Sequence, residues 1–214
     1  MLSRRAFSIL GLATIGVAGV YSRSHAQISL KPFAQAEPWA RKLIDAANEQ
    51  IGVTIRYDSS YQKLDFPMGD IPRETGVCTD VIIRAYRDAF KIDLQAAINA
   101  DMKTNFSKYP KIWGLKRTDK NIDHRRVPNI ERFLEHKNTA LEISSKPSDY
   151  LPGDIVSHRL PGNLPHIGII SDVASQVGKR PMIIHNIGAG TKLEDRVFEF
   201  DIVGHFRVPP EQLT

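Results

Sequence analysis

The sequence predicts a domain of the α+β class, in which N-terminal helices pack on a C-terminal antiparallel β-meander. Two observations carry this expectation. Apolar residues recur with helical spacing in the first part of the chain, whereas short β-rich segments alternate with turn residues from position 154 onward. Helices followed by strands are typical of α+β folds rather than of alternating α/β folds. The chain of 214 residues is long enough for one well-packed domain, which we place at residues 27–214.

The first 26 residues have the features of an export signal. Two arginines, Arg4 and Arg5, precede an apolar stretch, and residues 24–26 form a small-x-small cleavage site. The segment 3–7 is similar to a twin-arginine signal, while an ordinary secretory signal and an uncleaved anchor remain alternatives. We therefore expect a bacterial periplasmic protein whose mature domain makes no stable insertion into the membrane.

The formal net charge of +5 at pH 7 owes much to this leader, which carries three arginines and no acidic residue. The rest of the chain is only mildly basic, so its charge gives no support for a nucleic-acid partner. A mildly basic surface suits an anionic cell wall, although it suits many other partners too. We expect the domain to be a monomer.

Four segments have the apolar periodicity of helices. The second of them begins at Cys78, and Thr75 just before it is a good N-cap residue. An ordered loop rich in turn residues covers 57–77, and an irregular segment covers 105–127. The predicted helices cover residues 38–50, 78–90, 93–103 and 128–136.

The β-rich part of the chain carries two histidines on successive predicted strands. His166 lies at the start of one strand and His185 lies on the next. Side chains two residues apart share a face of a strand, so Gly168 leaves space beside the His166 imidazole. The predicted strands cover residues 154–158, 166–172, 182–187, 197–202 and 205–208.

Cys78 is the only cysteine of the chain. Exported proteins generally use cysteines in pairs, so a single thiol indicates either a buried core side chain or a nucleophile. A thiol in the first turn of a helix faces free backbone N–H groups and the positive end of the helix dipole. Both features favour the reactive thiolate.

A cysteine hydrolase needs a thiol, an imidazole that accepts and returns the proton, and a polar group that orients the imidazole. We predict Cys78 as the nucleophile, His166 as the base and then the acid, and His185 as the orienting residue. Adjacent antiparallel strands can bring two such side chains into hydrogen-bonding distance. Asn186 is the fallback for the third role, but strand alternation points it to the opposite face.

Zinc binding is the main alternative role for these histidines. Together with Asp123 they offer the ligand types that zinc prefers. No pair has the i, i+4 spacing of helical zinc motifs, and none belongs to an HExxH motif. We expect no metal and no cofactor. The histidines considered are His124, His166, His185 and His205.

The order of these residues resembles the NlpC-type branch of the papain-like cell-wall peptidases. More specifically, the chain resembles the bacterial family called domain of unknown function 1287. That closer resemblance spans nearly all of residues 40–208. It includes the stretches Gly76-Val77-Cys78-Thr79-Asp80, Ile83-Arg84-Ala85-Tyr86-Arg87, Asp123-His124-Arg125-Arg126, Pro152-Gly153-Asp154-Ile155-Val156, His166-Ile167-Gly168-Ile169, His185-Asn186-Ile187-Gly188 and Gly204-His205-Phe206-Arg207.

The resemblance implies a papain-like (NlpC-type) domain that acts as a cysteine amidase or endopeptidase on peptidoglycan or a muropeptide. It also implies that a tyrosine upstream of the cysteine lines the site, for which Tyr57 is the candidate and Tyr61 the substitute. NlpC-type enzymes usually carry an aspartate before the cysteine, which helps to bind the free amino group of the substrate. Val77 stands there in this chain, so Asp80 or Asp58 is expected to replace that contact.

Residues around 105–150 are expected to form an insertion beside the cleft. They include Arg125 and Arg126, whose guanidinium groups suit a carboxylate clamp for the substrate. The alternative is an internal ion-pair cluster, with Asp123 or Asp154 as the partner. Two other functions stay open, namely a catalytically silent binding module and a thiol-dependent enzyme acting on lipid acyl groups.

Overall fold

The computed structural model describes residues 32–177 and 179–213. The predicted signal segment 1–26 lies outside these residues. Within them no helix combines the length and the apolar character needed to cross a bilayer. The helices are α1 (Pro38–Asn48), α2 (Cys78–Phe90), α3 (Leu94–Asn105) and α4 (Val127–His136). The strands are β1 (Arg56–Tyr57), β2 (Thr75–Gly76), β3 (Ile155–Leu160), β4 (Leu164–Ala174), β5 (Pro181–Asn186), β6 (Thr191–Glu194) and β7 (Asp201–Phe206).

The main sheet is antiparallel, with strand order β6-β5-β4-β3-β7. Strands β3 to β6 follow one another as a meander, whereas β7 returns to the far side of β3. The short strands β1 and β2 form a separate parallel pair just ahead of α2. The predicted α+β class, with helices before an antiparallel sheet, is therefore confirmed.

Two details of the predicted sheet are wrong. Residues 197–200 form a turn rather than the start of a strand, and the segments predicted at 197–202 and 205–208 merge into the single strand β7. Val197 is fully buried in that turn, so its apolar character reflects packing rather than strand pairing. The edge strand β6 beside β5 was also not among the predicted strands.

The first turn of α2 is capped differently from the prediction. Val77 is the N-cap residue, and the carboxylate of Asp80 accepts the Val77 backbone N–H at 2.7 Å. The hydroxyl of Thr75 instead donates to the carbonyl of Pro72 at 3.0 Å. A side chain from the third helical position therefore closes the helix start, and it does so directly beside Cys78.

Helix α2 is buried along most of its length and packs on one face of the sheet. Cys78 and Ile82 share a core with Ile167 and Ile184, which point from β4 and β5 towards the helices. The opposite face of the sheet packs a second cluster around Tyr150 and Val197. Because both faces are covered, side chains of either parity along β4 and β5 lie in buried surroundings.

Candidate active site

A cavity of about 400 Å³ opens where the start of α2 meets the hairpin between β3 and β4. It brings together most of the predicted site residues. Two of them, Asp80 and His185, do not line it. The predicted residues that do line it are Tyr57, Cys78, Arg125, Arg126 and His166.

The Cys78 side chain sits at the inner wall of this cavity and is 4% exposed. Its sulfur lies near the Tyr57 hydroxyl and near the backbone N–H of Ile167, the residue after His166. These contacts bring the thiol against the beginning of β4. His166, whose parity along the strand is opposite to that of Ile167, lines the same cavity near the start of β4.

Burial raises the pKa of the Cys78 thiol to about 12, and the negative charge of Asp80 adds to the increase. Backbone N–H groups near the sulfur, including those of Ile167 and Thr79, act in the opposite direction. The expectation that the helix start would favour a thiolate is therefore wrong for the unliganded protein. The local effect of the helix terminus is outweighed by the loss of water around the sulfur.

A hydrogen-bonded relay extends away from His166 through two further side chains. Its Nε2 lies 2.8 Å from Nδ1 of His185, and Nε2 of His185 lies 3.0 Å from a carboxylate oxygen of Glu194. Both imidazoles are almost fully buried, whereas Glu194 is partly exposed and is also approached by Arg196 at 3.6 Å.

The carboxylate of Glu194 fixes the direction of the protons in this relay. An ionised carboxylate only accepts hydrogen bonds, so His185 must donate from Nε2. In its neutral form His185 then presents a lone pair at Nδ1, which accepts the Nε2–H of His166. Nδ1 of His166 is left as an unprotonated nitrogen that is not engaged by His185. The relay thus prepares His166 to act as a base.

Burial lowers the pKa of His166 to about 3, and the nearby rings of His185 and His158 add to the effect. Burial also lowers the pKa of His185 to about 4, although Glu194 opposes the change. Both rings are consequently neutral at pH 7. The resting site pairs a neutral thiol with neutral imidazoles rather than a thiolate with an imidazolium.

Two structural details around His166 and His185 determine how the relay is arranged. A Cβ atom on Gly168 would lie 2.7 Å from the side chain of Ile183 and 3.0 Å from Cβ of His185, so glycine is required for the approach of β5. Asn186 points to the other face, as predicted, and donates to the carbonyl of Gly76 at 3.0 Å. It therefore anchors the loop before Cys78 instead of orienting His166.

Asp80 is not available to a substrate. Its carboxylate pairs with the guanidinium of Arg125 at 3.0 and 3.1 Å, and both side chains are nearly inaccessible. Nη2 and Nη1 of Arg125 also bind the backbone carbonyls of Asp58 and Ser60. The predicted substrate contact of Asp80 is thus replaced by an internal ion pair, and Arg125 lines the cavity with each of its three nitrogens bonded within the protein.

Arg126 is held differently from Arg125. Its guanidinium stacks 4.1 Å above the ring of Trp113 and binds the carboxylate of Asp123 through Nη1 at 3.1 Å. The ion pair with Asp123 matches the internal cluster that the sequence left open. Arg126 nevertheless faces the cavity and is about one-sixth exposed.

Glu194 was not predicted from the sequence. No strand was predicted between residues 187 and 197, so no partner for His185 was sought there. In the observed register Lys192 lies opposite His185, and Glu194 is its diagonal neighbour. Long side chains can reach a diagonal neighbour on the adjacent strand. Had β6 been predicted as a strand, Glu194 would therefore have been a candidate partner for His185.

Of the four histidines considered for zinc, His166 and His185 lie together in the relay, and the other two lie elsewhere. His124 is buried near α3, and burial lowers its pKa to about 4. His205 binds the fully buried Asp154 at 2.8 Å in a separate cluster. In the described part of the chain, no group of three or more histidine, cysteine, aspartate or glutamate side chains is arranged to hold a metal.

The raised pKa of Cys78 predicts the pH dependence of its alkylation. Only the thiolate reacts, so labelling by iodoacetamide should be slow at pH 7 and increase about tenfold for each pH unit up to pH 10. The rate is measured from the mass of the protein, which has one thiol. Urea-unfolded protein is the control and should level off near the pKa of an ordinary thiol. A rate plateau between pH 5 and 8 in the folded protein would contradict the neutral resting pair.

Three comparisons place the chain among known proteins. A family described as "Domain of unknown function (DUF1287)" matches residues 44–208. A relative named "Uncharacterized protein YijF", from Escherichia coli strain K12, is 50% identical over 165 residues, which are 77% of this chain and 80% of the relative. A solved structure of NlpC1 from Trichomonas vaginalis is similar with a TM-score of 0.41 and 14% identity. That similarity covers 83% of this chain and 47% of the other.

Proposed function

The chain belongs to the DUF1287 family, and we propose that it is a papain-like cysteine hydrolase that cleaves an amide bond in peptidoglycan peptides. The observation that carries the proposal is a single cavity that contains a lone thiol and a histidine whose far nitrogen is tied to a second histidine and a glutamate. A nucleophile, a base and an orienting group are the parts that acyl transfer through a thioester requires.

Because the Cys78 thiol and the His166 imidazole are both neutral at rest, the first step includes a proton transfer between them. Nδ1 of His166 takes the thiol proton while the sulfur of Cys78 attacks the amide carbonyl, so a carbon–sulfur bond forms and the carbonyl oxygen becomes an anion. Backbone N–H groups at the start of α2 are the natural donors to that oxygen. The imidazolium that forms is stabilised through His185 by the charge of Glu194.

The second half of the reaction returns the proton. The carbon–nitrogen bond breaks as His166 donates its proton to the leaving amine, which leaves a thioester on Cys78. Water then loses a proton to Nδ1 of His166 and attacks the thioester carbonyl. The carbon–sulfur bond breaks, the sulfur regains the proton, and the product is a carboxylic acid.

The proposed substrate follows from the proposed location. The arginine pair and apolar stretch at the N-terminus are typical of an export signal, and the bacterial periplasm contains the peptide-bearing wall polymer. Muropeptides carry amide bonds and several carboxylates, which a cavity lined by Arg126 can accept.

A binding protein without hydrolytic activity is the second candidate. The observation that favours it is the high pKa of Cys78, which keeps the thiol in its unreactive form at rest. In that case the same cavity would hold a wall peptide without forming a covalent bond.

The covalent intermediate separates these two functions. Purified peptidoglycan is incubated with the full-length protein, the reaction is stopped with acid, and the mass of the peptide that contains Cys78 is determined. We expect a fraction of that peptide to carry an added acyl group and the supernatant to contain released fragments. The Cys78→Ala protein should give neither. Identical fragments from both proteins would overturn the proposed hydrolase.

A further inference from the structure

The charges around the cavity are one-sided. Within the described residues no aspartate or glutamate side chain lines it, whereas the guanidinium groups of Arg125 and Arg126 do. Most of the remaining lining is apolar or aromatic, including Val77, Trp113 and Ile187. A cationic group that entered this cavity would lose water and find no carboxylate among the lining side chains, since the nearby Asp80 is held in its pair with Arg125.

The nearby acidic residues are all turned to other partners. Asp80 pairs with Arg125, and Asp123 pairs with Arg126. Asp58 accepts the backbone N–H of Ser60 and the side-chain amide of Gln62. Each of these three carboxylates therefore has a partner within the protein, and none of them lines the cavity.

Arg126 keeps donors for a ligand. Nη1 binds Asp123, but in the described part of the chain Nε and Nη2 make no hydrogen bond. The stack on Trp113 fixes the plane of the guanidinium, which lowers the entropy lost when it binds an oxygen atom. Arg126 is thus an oriented donor to an acyl oxygen or a carboxylate.

We propose that the cavity selects peptides with no free ammonium group beside the scissile bond, so that the substrate has an amino end that is already acylated. Arg126 binds an oxygen of that peptide. The inference deepens the proposed function and rests on it for the peptide nature of the ligand. It adds that the site accepts a wall peptide whose amino end is still linked through an amide bond.

A binding measurement on the Cys78→Ala protein tests this selectivity without turnover. The probes are L-alanyl-γ-D-glutamyl-L-alanine with a free amino terminus and the same peptide with an N-acetyl group. By isothermal titration we expect the acetylated peptide to bind at least about tenfold more tightly, because it brings no unpaired cation into the cavity. Equal affinities, a preference for the free amine, or binding of neither peptide at millimolar concentration would overturn the inference.

A substitution at Val77, which is 6% exposed, places a carboxylate in the cavity wall. Val77 lines the cavity next to Cys78 and is the N-cap residue of α2, where aspartate and asparagine are both favourable. In the Cys78→Ala background, Val77→Asp should strengthen binding of the free-amino peptide about tenfold relative to the neutral Val77→Asn control. The acetylated peptide should bind both variants equally. Equal binding of the free-amino peptide to both variants would count against the inference.

The peptide selectivity and the proposed hydrolysis can be disproved independently of each other. A protein that prefers the acetylated peptide yet forms no adduct on Cys78 retains this inference and loses the proposed hydrolase. A protein that hydrolyses the free-amino peptide faster than the acetylated one retains the hydrolase and loses the inference.

Discussion

Replacing either Cys78 or His166 by alanine is expected to lower the rate of peptide hydrolysis by about 10³-fold or more. The first change removes the nucleophile. The second removes the only lone pair that the relay leaves for the thiol proton, and a thiol with a pKa raised to about 12 forms almost no thiolate without that base. The two losses should not add in the double variant, because each removes the same step. Rates are measured as fragment release from purified peptidoglycan at pH 7.

Substitutions in the rest of the relay test the assigned roles, because the expected loss of rate decreases with distance from Cys78. His185→Ala should cost less than His166→Ala, and Glu194→Gln less again, about tenfold, since the glutamine oxygen still accepts from His185 but carries no charge. His136→Ala is the matched control, because His136 binds Asp101 in the helical layer and does not line the cavity. A His166→Ala protein within tenfold of the wild-type rate would contradict the mechanism.

The same series has a readout that does not depend on turnover. Nitrogen-15 spectra of the histidine rings distinguish which nitrogen carries the proton. We expect His166 and His185 both to be protonated at Nε2 in the wild-type protein, as the hydrogen bond to Glu194 requires. A Nδ1-protonated His166 would contradict its role as the base.

The start of the Cys78 helix and the meeting of His166 with His185 were predictable from the sequence, whereas Glu194 on the next strand was not. Cys78 begins a helix because an apolar periodic run follows it. His166 and His185 meet because they are diagonal neighbours on adjacent antiparallel strands, in which Ile169 pairs with Ile184. In both cases the information is local: periodicity sets which way a side chain points, and a short connection makes the strands neighbours.

The protonation state of the thiol was not predictable in this way. Its position at a helix start follows from the local sequence. Its burial arises from parts distant in sequence, namely Tyr57, the β3–β4 hairpin and the segment that carries Arg125 and Arg126. The same reason explains Asp80. Its partner Arg125 is 45 residues away, so the sequence indicated a free carboxylate where the fold makes an ion pair. Long-range contacts decided both outcomes.

The loop that delivers Cys78 depends on another long-range contact, a buried arginine of α2. Arg84 is fully inaccessible to solvent, and all its guanidinium N–H groups are bonded. Nε and Nη2 bind the carboxylate of Asp70, and Nη2 also binds the carbonyl of Ile71. Nη1 binds the hydroxyl of Thr54 and the carbonyl of Thr75. One side chain thus holds the segment that ends three residues before the nucleophile.

Arg84→Met is therefore expected to lower the free energy of unfolding by about 3 kcal/mol or more, although methionine fills a similar volume. Asp70 would lose its most buried partner, and the carbonyls of Ile71 and Thr75 would lose their donor away from water. Urea unfolding followed by circular dichroism measures the change. Such a loss is a large part of the 5–15 kcal/mol that stabilises a typical domain.

Arg73→Met is the matched control, because the ion pair of Arg73 with Asp88 is short but substantially exposed. Exposed pairs contribute little, so its loss should cost less than about 1 kcal/mol. Arg84→Met should also speed alkylation of Cys78 at pH 7, since a loosened loop lets water reach the sulfur and lowers its pKa towards the ordinary value. Equal stability losses in the two variants, with unchanged labelling of Cys78, would show that Arg84 does not hold the loop that presents the thiol.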